Sequence, residues 1–441
     1  MRQSEIIFQS KYGFGKNEKK ETENRNSLRF FLLSRFFSFN LHVNNFSNMK
    51  ILECFFWICA FLVFYTYIGY GILLWILLKL KRLVKGKAVD LPMPEDSELP
   101  EMTLMVCAYN EESIIDAKME NCRSLRYPQG KLHFVFVTDG STDHTNERLQ
   151  TYPEVTVVFK PERRGKTAAL NHGIHHVMTP IIAFTDANTM LNQDAMLEIA
   201  RLFQDGKVGC VSGEKRVCAT SDGDTAGEGE GAYWRYESAL KKMDSELCSA
   251  MGAAGELFAI RTELYREMAE NTLLDDFMMS MLIVRDGYRI AYTDKAYAME
   301  TGSASMEEES KRKRRIAAGG LQSIWRLRGL LFDIRRPLVS FQFVSHRVLR
   351  WSITPVALLA LVPFNVALVW MKAGWLYNLT WVLQIIFYLM VWLGASASRE
   401  GKKNKFYIPY YFFFMNMNVF RGVSYLFSHR KSGAWEKAKR K

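Results

Sequence analysis

Two apolar blocks, residues 51–80 and 346–427, bracket a stretch of ordinary soluble composition from 100 to 310, and this uneven distribution most constrains the fold. The apolar residues that make up 49% of the chain are concentrated in those blocks, which hold 12 of its 30 phenylalanines. As a helix, residues 51–78 are long enough to cross about 30 Å of hydrocarbon. The length of the segment and the lack of a small-residue cleavage site favour an uncleaved anchor over a signal peptide. Lys79, Lys81, Arg82, Lys85 and Lys87 close the segment, so the positive-inside rule places the chain beyond them in the cytoplasm.

The rest of the organisation reads off the same pattern. Residues 1–48 are a polar extension, and Met49-Lys50 begins a sequence that looks like a natural start, so translation is expected to begin there. An anchor (49–88) and a Pro/acidic linker from Leu91 to Glu101 lead into a cytoplasmic domain (100–310). A basic amphipathic helix comes next (within 311–345), in which Gly320, Ile324, Leu327 and Leu331 share one face, backed by Trp325 and Phe332. It is expected to lie in the bilayer interface, with packing on the soluble domain as the alternative. Three apolar segments (348–370, 375–393 and 406–427, within 346–428) and a basic tail (429–441) complete the chain. Arg421 is costly against lipid, and a third crossing would put the tail outside, so that segment is open between spanning and interfacial.

The net charge of +12 gathers beside the apolar segments and at the C-terminus. That suits anionic lipid headgroups rather than nucleic acid, which would call for basic residues interleaved with exposed aromatics on the soluble domain. Seven cysteines show no CxxC pair and no metal-ligand spacing. This fits a reducing, cytoplasmic location for the soluble domain, with thiols buried as small hydrophobes.

Between 102 and 300, strand-like runs (103–106, 132–137, 155–159, 181–184, 208–212) alternate with helix starts near Glu111, Asp143, Lys166, Gln193, Tyr233 and Leu274. The alternation predicts an α/β fold with a mainly parallel, doubly wound sheet. Asp139 and Asp186 each come after an apolar run, which places them at the carboxyl ends of strands, where ligands bind in such sheets. Either one alone reads equally as a turn former. Gly165-Lys166-Thr167 is not a phosphate-binding P-loop, because Lys160 stands where the motif needs its first glycine.

Several motifs together carry a family resemblance. They are Val106-Cys107-Ala108-Tyr109-Asn110-Glu111-Glu112, Asp139-Gly140-Ser141-Thr142-Asp143, Arg164-Gly165-Lys166-Thr167-Ala168-Ala169-Leu170-Asn171 and Asp186-Ala187-Asn188. Downstream stand Gly252 to Arg261, Leu273-Leu274-Asp275-Asp276-Phe277 and Glu309-Ser310-Lys311-Arg312-Lys313. In order and spacing the chain resembles the family 2 glycosyltransferases over residues 102–335, and its flanks resemble the membrane-embedded polysaccharide synthases of that family. The resemblance implies a GT-A-type sheet with a nucleotide-diphosphate-binding half, inverting chemistry and nucleotide-diphosphate sugar donors.

Carried over residue by residue, it implies that Tyr109 and Glu111 line the base and ribose pocket, that Asp139 bonds the base or ribose, and that Lys166 compensates phosphate charge. Asp186 would hold Mg²⁺ or Mn²⁺ bridging the phosphates. Asn188 stands where the usual Asp-x-Asp has its second aspartate, which removes one negative ligand but keeps an amide oxygen. Asp276 takes the position of the catalytic base, with Asp275 where glutamate usually precedes it. On their own the two aspartates also read as the first turn of an apolar helix. Glu309, Arg312 and Lys313 stand where processive synthases carry Gln-x-x-Arg-Trp. Arginine there would hold the leaving diphosphate, and the acceptor-stacking tryptophan is missing. The run Lys311–Arg315 also reads as a plain juxtamembrane stretch, and Tyr233-Trp234-Arg235-Tyr236 as either acceptor platform or core.

The expectation is a multi-pass inner (plasma) membrane enzyme that contacts membrane lipids. It would move sugar from a nucleotide-diphosphate sugar to a growing cell-surface polysaccharide or lipid-linked glycan. Two rivals stand beside it: a single-addition transferase on a lipid-linked acceptor, and a catalytically silent nucleotide-binding subunit of a polysaccharide secretion complex.

Overall fold

The computed structural model describes residues 48–86, 91–218, 225–302, 305–399 and 405–428. The expectations for residues 1–47, for Lys87 and for the basic tail lie outside the described residues. Eight strands form one sheet in the order β3-β2-β1-β4-β7-β6-β8-β5. They are β1 (Met102–Ala108), β2 (Leu132–Asp139), β3 (Val155–Lys160), β4 (Ile181–Asp186), β5 (Met190–Leu191), β6 (Val208–Cys218), β7 (Phe258–Arg261) and β8 (Arg289–Thr301). The half from β3 to β4 is parallel throughout. Beyond it the sheet is mixed, because β7 runs antiparallel to both β4 and β6, while β6 and β8 are parallel.

The central strands are largely apolar on both faces because both faces are covered. Alternate residues feed two cores: Met105, Val135, Val137, Ile182 and Phe184 on one face, and Leu104, Val106, Phe136, Ile181 and Ala183 on the other. Register brings the strand ends level, with Ala108 beside Thr138 and Cys107 beside Asp186. The chain reverses its order of strand addition between β1 and β4, and the crevice there opens at the carboxyl ends.

The helices are α1 (Asn48–Lys85), α2 (Ile115–Arg123), α3 (Thr145–Gln150), α4 (Lys166–Gly173), α5 (Ala195–Leu202), α6 (Thr225–Leu247), α7 (Asp275–Arg285) and α8 (Met306–Arg326). The last three are α9 (Pro337–Trp370), α10 (Trp375–Arg399) and α11 (Tyr407–Ser428). Of these, α1, α9 and α10 are long and apolar enough to cross a membrane. Among the described residues α11 is not in that set. It lies along α8, where Gly422 meets Ala317 and Ala318, Asn418 pairs with Ser310 and Tyr411 donates to Glu309.

The amphipathic segment differs from its sequence reading. Its helix begins earlier, at Met306, with the Ser305 hydroxyl accepting from the Glu308 amide, and it stops at Arg326. A short turn comes next, in which the Asp333 carboxylate holds Arg336 just before Pro337, a residue that disfavours helix at the preceding position. Leu327 and Leu330 are buried, whereas Trp325, Phe332 and Ile334 are exposed.

The chain divides into two compact units, residues up to Ala60 with Ala360–Leu383, and Phe61–Leu359 with Gln384 onward. In the first, Phe56 packs edge-on against Tyr377 at 5.6 Å. In the second, a buried polar network ties α6 to α1 and α9. Asp244 accepts from Tyr70 and from Gln342 and pairs with His346, and Glu237 pairs with Arg347 at 2.7 Å and Arg350 at 2.8 Å. These arginines therefore face a carboxylate inside the protein rather than lipid.

Candidate active site

The crevice is built by the segments at the ends of β1, β2 and β4. After β1, Asn110 takes a left-handed conformation (φ 52°) and its side-chain oxygen accepts from the Thr142 amide at 2.8 Å. This bond joins the two loops that carry Tyr109, Glu111 and Asp139. Glu111 is held by its own backbone amide, which donates to the Thr145 hydroxyl at 2.9 Å. The Arg163 guanidinium lies 3.7 Å over the Tyr109 ring. Gly140 lets the backbone at Arg163 come close, since a Cβ there would sit 2.8 Å from the Arg163 backbone nitrogen. Asp139, at the end of β2, accepts from the backbone amides of Arg164 (2.9 Å) and Gly165 (2.6 Å). Both of its oxygens thus order the loop that leads into α4, and their remaining lone pairs are what a nucleotide could use.

Lys166 is the first residue of α4, and its ammonium lies 2.6 Å from Asp186 Oδ1 and 3.8 Å from Asp275 Oδ2. Burial opposes this charge, but Asp186 and Asp275 carry its pKa well above the ordinary lysine value. Asp275 and Asp276 open α7. Asp275 Oδ2 is buried without a hydrogen-bond partner among the described residues. Asp276 Oδ1 accepts from the Phe277 amide at 2.7 Å. Burial, and then the neighbouring Asp275 charge, push the Asp276 carboxyl up to about 6. Behind it, a Cβ on Gly255 would stand 3.0 Å from Asp276 Oδ2, so the glycine loop before β7 reaches the carboxylate.

A divalent cation would find oxygen donors at Asp186 and Asn188, on the turn between β4 and β5. Among the described residues no group of three or more His, Cys, Asp or Glu is arranged to hold a metal. One half-exposed carboxylate and one amide oxygen fit a hard ion that takes its other ligands from diphosphate and water.

The structure gathers Glu309, Arg312 and Lys313 around the Glu309 carboxylate. Arg312 pairs with Glu309 at 3.1 Å and lies 3.8 Å from Glu300. Lys313 pairs with Glu309 at 3.3 Å and lies over the Tyr233, Trp234 and Tyr411 rings. The cation of α8 that faces the aspartates is Arg315. Burial lowers its pKa, and the charges of Asp275, Asp276 and Asp186 act against that shift. The cause is the packing of Gly319, one turn further on, where a Cβ would clash with Leu274 at 2.6 Å. Gln322 and Arg326 also grip the same segment, residues 271–273. The Gly319-Gly320 doublet is the sequence signal that could have singled out Arg315.

A mixed α/β sheet with a nucleotide-type crevice at its carboxyl edge, lined by aspartates and two cations, defines a GT-A-like transferase architecture. The model of the family described as "Glycosyltransferase like family 2" matches residues 100–319. The chain belongs to the family 2 glycosyltransferases. It is 27% identical over 240 residues to a beta-monoglucosyldiacylglycerol synthase of a Nostoc species, covering 51% of this chain and 50% of that protein. It is 26% identical over 241 residues to a poly-beta-1,6-N-acetyl-D-glucosamine synthase of Staphylococcus aureus, covering 52% of this chain and 57% of that protein. The chain thus spans about half the length of these relatives. In fold it is similar to a mannosyltransferase from Pyrobaculum calidifontis solved with GDP-Man and Mn2+, with a TM-score of 0.62 at 22% identity over 85% of this chain and 99% of that one.

Proposed function

We propose that this chain is an inverting, membrane-anchored glycosyltransferase with its sheet domain on the cytoplasmic side of the inner (plasma) membrane. It transfers a sugar from a nucleotide-diphosphate sugar to a hydroxyl of a growing cell-surface polysaccharide or lipid-linked glycan. The observation that carries this reading is the placement of Asp276 at the start of α7, with Oδ1 held by the Phe277 amide at 2.7 Å. Asp275 is next to it, and Lys166 and Arg315 are close enough to act on it; burial and the Asp275 charge raise its carboxyl to about 6. A base with a pKa near the working pH is suited to proton transfer. The acceptor oxygen attacks the anomeric carbon, Asp276 takes its proton, and the bond to the diphosphate oxygen breaks on the opposite face. Lys166 and Arg315 supply positive charge where the leaving diphosphate gains negative charge. Asp275 Oδ2, buried and unpaired by hydrogen bonds, accepts from a sugar hydroxyl and orients it. Tyr109, Glu111 and Asp139 frame the base and ribose. A divalent cation at Asp186 and Asn188 would neutralise the diphosphate.

The names of the relatives pull the acceptor two ways, toward a polymer and toward a diacylglycerol glycolipid. Membranes carrying the chain, incubated with a panel of radiolabelled nucleotide sugars, should yield a product whose size separates polymer from single addition. If no labelled sugar is transferred by the native chain and Asp276→Asn behaves identically, the chain is the silent nucleotide-binding subunit instead.

A further inference from the structure

Lys118 lies on the inner face of α2, fully buried, beneath the turn that carries Asp186 and Asn188. Its ammonium donates to the Thr189 carbonyl oxygen at 2.6 Å, which among the described residues is its only hydrogen bond. One helical turn on, Asn121 exchanges two bonds with Leu191, donating to its carbonyl at 2.8 Å and accepting from its amide at 2.9 Å. Thr189 in turn returns to the Asp186 carbonyl through its hydroxyl at 2.9 Å. The turn is therefore pinned from below at two points by α2, which lies directly after the segment Tyr109–Glu112.

A buried ammonium with no carboxylate in contact is costly, and a methionine would fill the same volume without that cost. Burial pushes the Lys118 amine down to about 8, with Cys122 and Asp186 acting the other way, so it is mostly charged at neutral pH. Asp186 thus has the Lys166 ammonium at 2.6 Å and a second cation under its turn, while Asn188 contributes no charge. The single carboxylate charge of Asp186 is thus already met by cations before a diphosphate arrives.

We propose that Lys118 is a positioning residue of the metal-carrying turn, whose buried charge prevents Asp186 and Asn188 from holding a divalent cation alone and makes its entry depend on the diphosphate. This rests on the reading of Asp186 as the metal carboxylate. The test is Mn²⁺ binding to the purified full chain in detergent, by electron paramagnetic resonance, without nucleotide and then with UDP or GDP. The native chain should bind Mn²⁺ alone weakly, and Lys118→Met should tighten that binding on the order of tenfold, with a smaller change when nucleotide is present. Lys118→Gln keeps a donor toward Thr189 without the charge and should match Lys118→Met. It also carries the test if the methionine variant fails to fold. If Lys118→Gln binds Mn²⁺ alone as the native chain does, the proposal is overturned. Asp186→Asn separates the two levels. Should it leave Mn²⁺–nucleotide binding intact, the metal assignment itself fails. Should it abolish that binding while the Lys118 variants behave as native, only the role of Lys118 fails.

Discussion

The Lys166 ammonium lies 2.6 Å from Asp186 Oδ1, so the cation expected to meet phosphate and the carboxylate expected to meet metal are paired with each other before any donor is present. A diphosphate with its cation exchanges this pair for two charge-assisted contacts. Lys166→Met should therefore weaken GDP or UDP binding by about tenfold to a hundredfold, the usual range for a lost bond to a charged group. It should at the same time strengthen binding of Mn²⁺ alone at the uncovered Asp186. Calorimetric titration of each ligand checks both, and unchanged nucleotide affinity would remove Lys166 from the donor site.

The two adjacent aspartates should separate in rate. Asp276→Asn keeps the oxygen that accepts from Phe277 but cannot take a proton, so transfer should fall by about 10²–10⁴-fold with nucleotide affinity kept. Asp275→Asn should be milder. Initial rates and nucleotide affinities measured on one preparation decide, and a dead Asp275→Asn beside an active Asp276→Asn would exchange their roles.

Asp276 also makes stability depend on pH. Its carboxyl is raised from 3.8 to about 6 in the folded chain, so folding takes up a proton between those values. The stability contribution is present below the unfolded value and is lost as pH rises through about 6. Asp276→Asn should accordingly raise Tm at about pH 7.5 and give little gain at about pH 4. Thermal melts at the two pH values test this, and a larger gain at the acid end would contradict the assigned direction.

What the sequence made legible is local. β1, β2 and β4 are largely apolar runs, and Asp139, Lys166 and Asp186 sit at strand ends or helix starts that their neighbours define. β7 is a four-residue antiparallel insertion between β4 and β6, too short for periodicity to expose. β8 reads poorly because Asp294 and Lys295 interrupt it at an irregularity in its pairing with β6. Within the basic run of α8, composition cannot say which cation turns inward. That is set by the distant contact of Gly319 with Leu274. Lys118 looks like a solvent-facing helix residue until the 186–191 turn settles over it.

Arg315 and Arg312 should therefore fail differently. Arg315→Ala removes a charge beside the three aspartates and should lower the transfer rate about a hundredfold or more, with only a small change in Tm. Arg312→Ala removes one of the cations at Glu309 and Glu300, both almost fully buried, and leaves Lys313 and Tyr411 on Glu309 and Lys215 on Glu300. Breaking a buried pair outright costs about 3–5 kcal/mol, and with these partners kept the loss is a part of that, so its main effect should be a lower Tm. Paired melts and rates would overturn the assignment if Arg312→Ala were the stable, inactive variant.

The seat of α8 against α11 offers a test of how Arg315 is aimed. Gly422 has no room for a methyl group, since its Cβ would lie 2.6 Å from Ala317 Cβ and 2.9 Å from the Ala318 nitrogen. Overpacking of this kind costs about 1–3 kcal/mol. Gly422→Ala should therefore push the helices apart and lower Tm by several degrees. Because Arg315 precedes Ala317 by two residues on the same helix, the transfer rate should fall more than nucleotide affinity does. Ala317→Gly in the same chain removes the nearer contact but not that with the Ala318 nitrogen, and should restore Tm and rate in part. If Gly422→Ala melts and turns over as the native chain does, the α8–α11 contact does not set the position of Arg315. If Ala317→Gly fails to rescue a damaged Gly422→Ala variant, the damage arises elsewhere than at this contact.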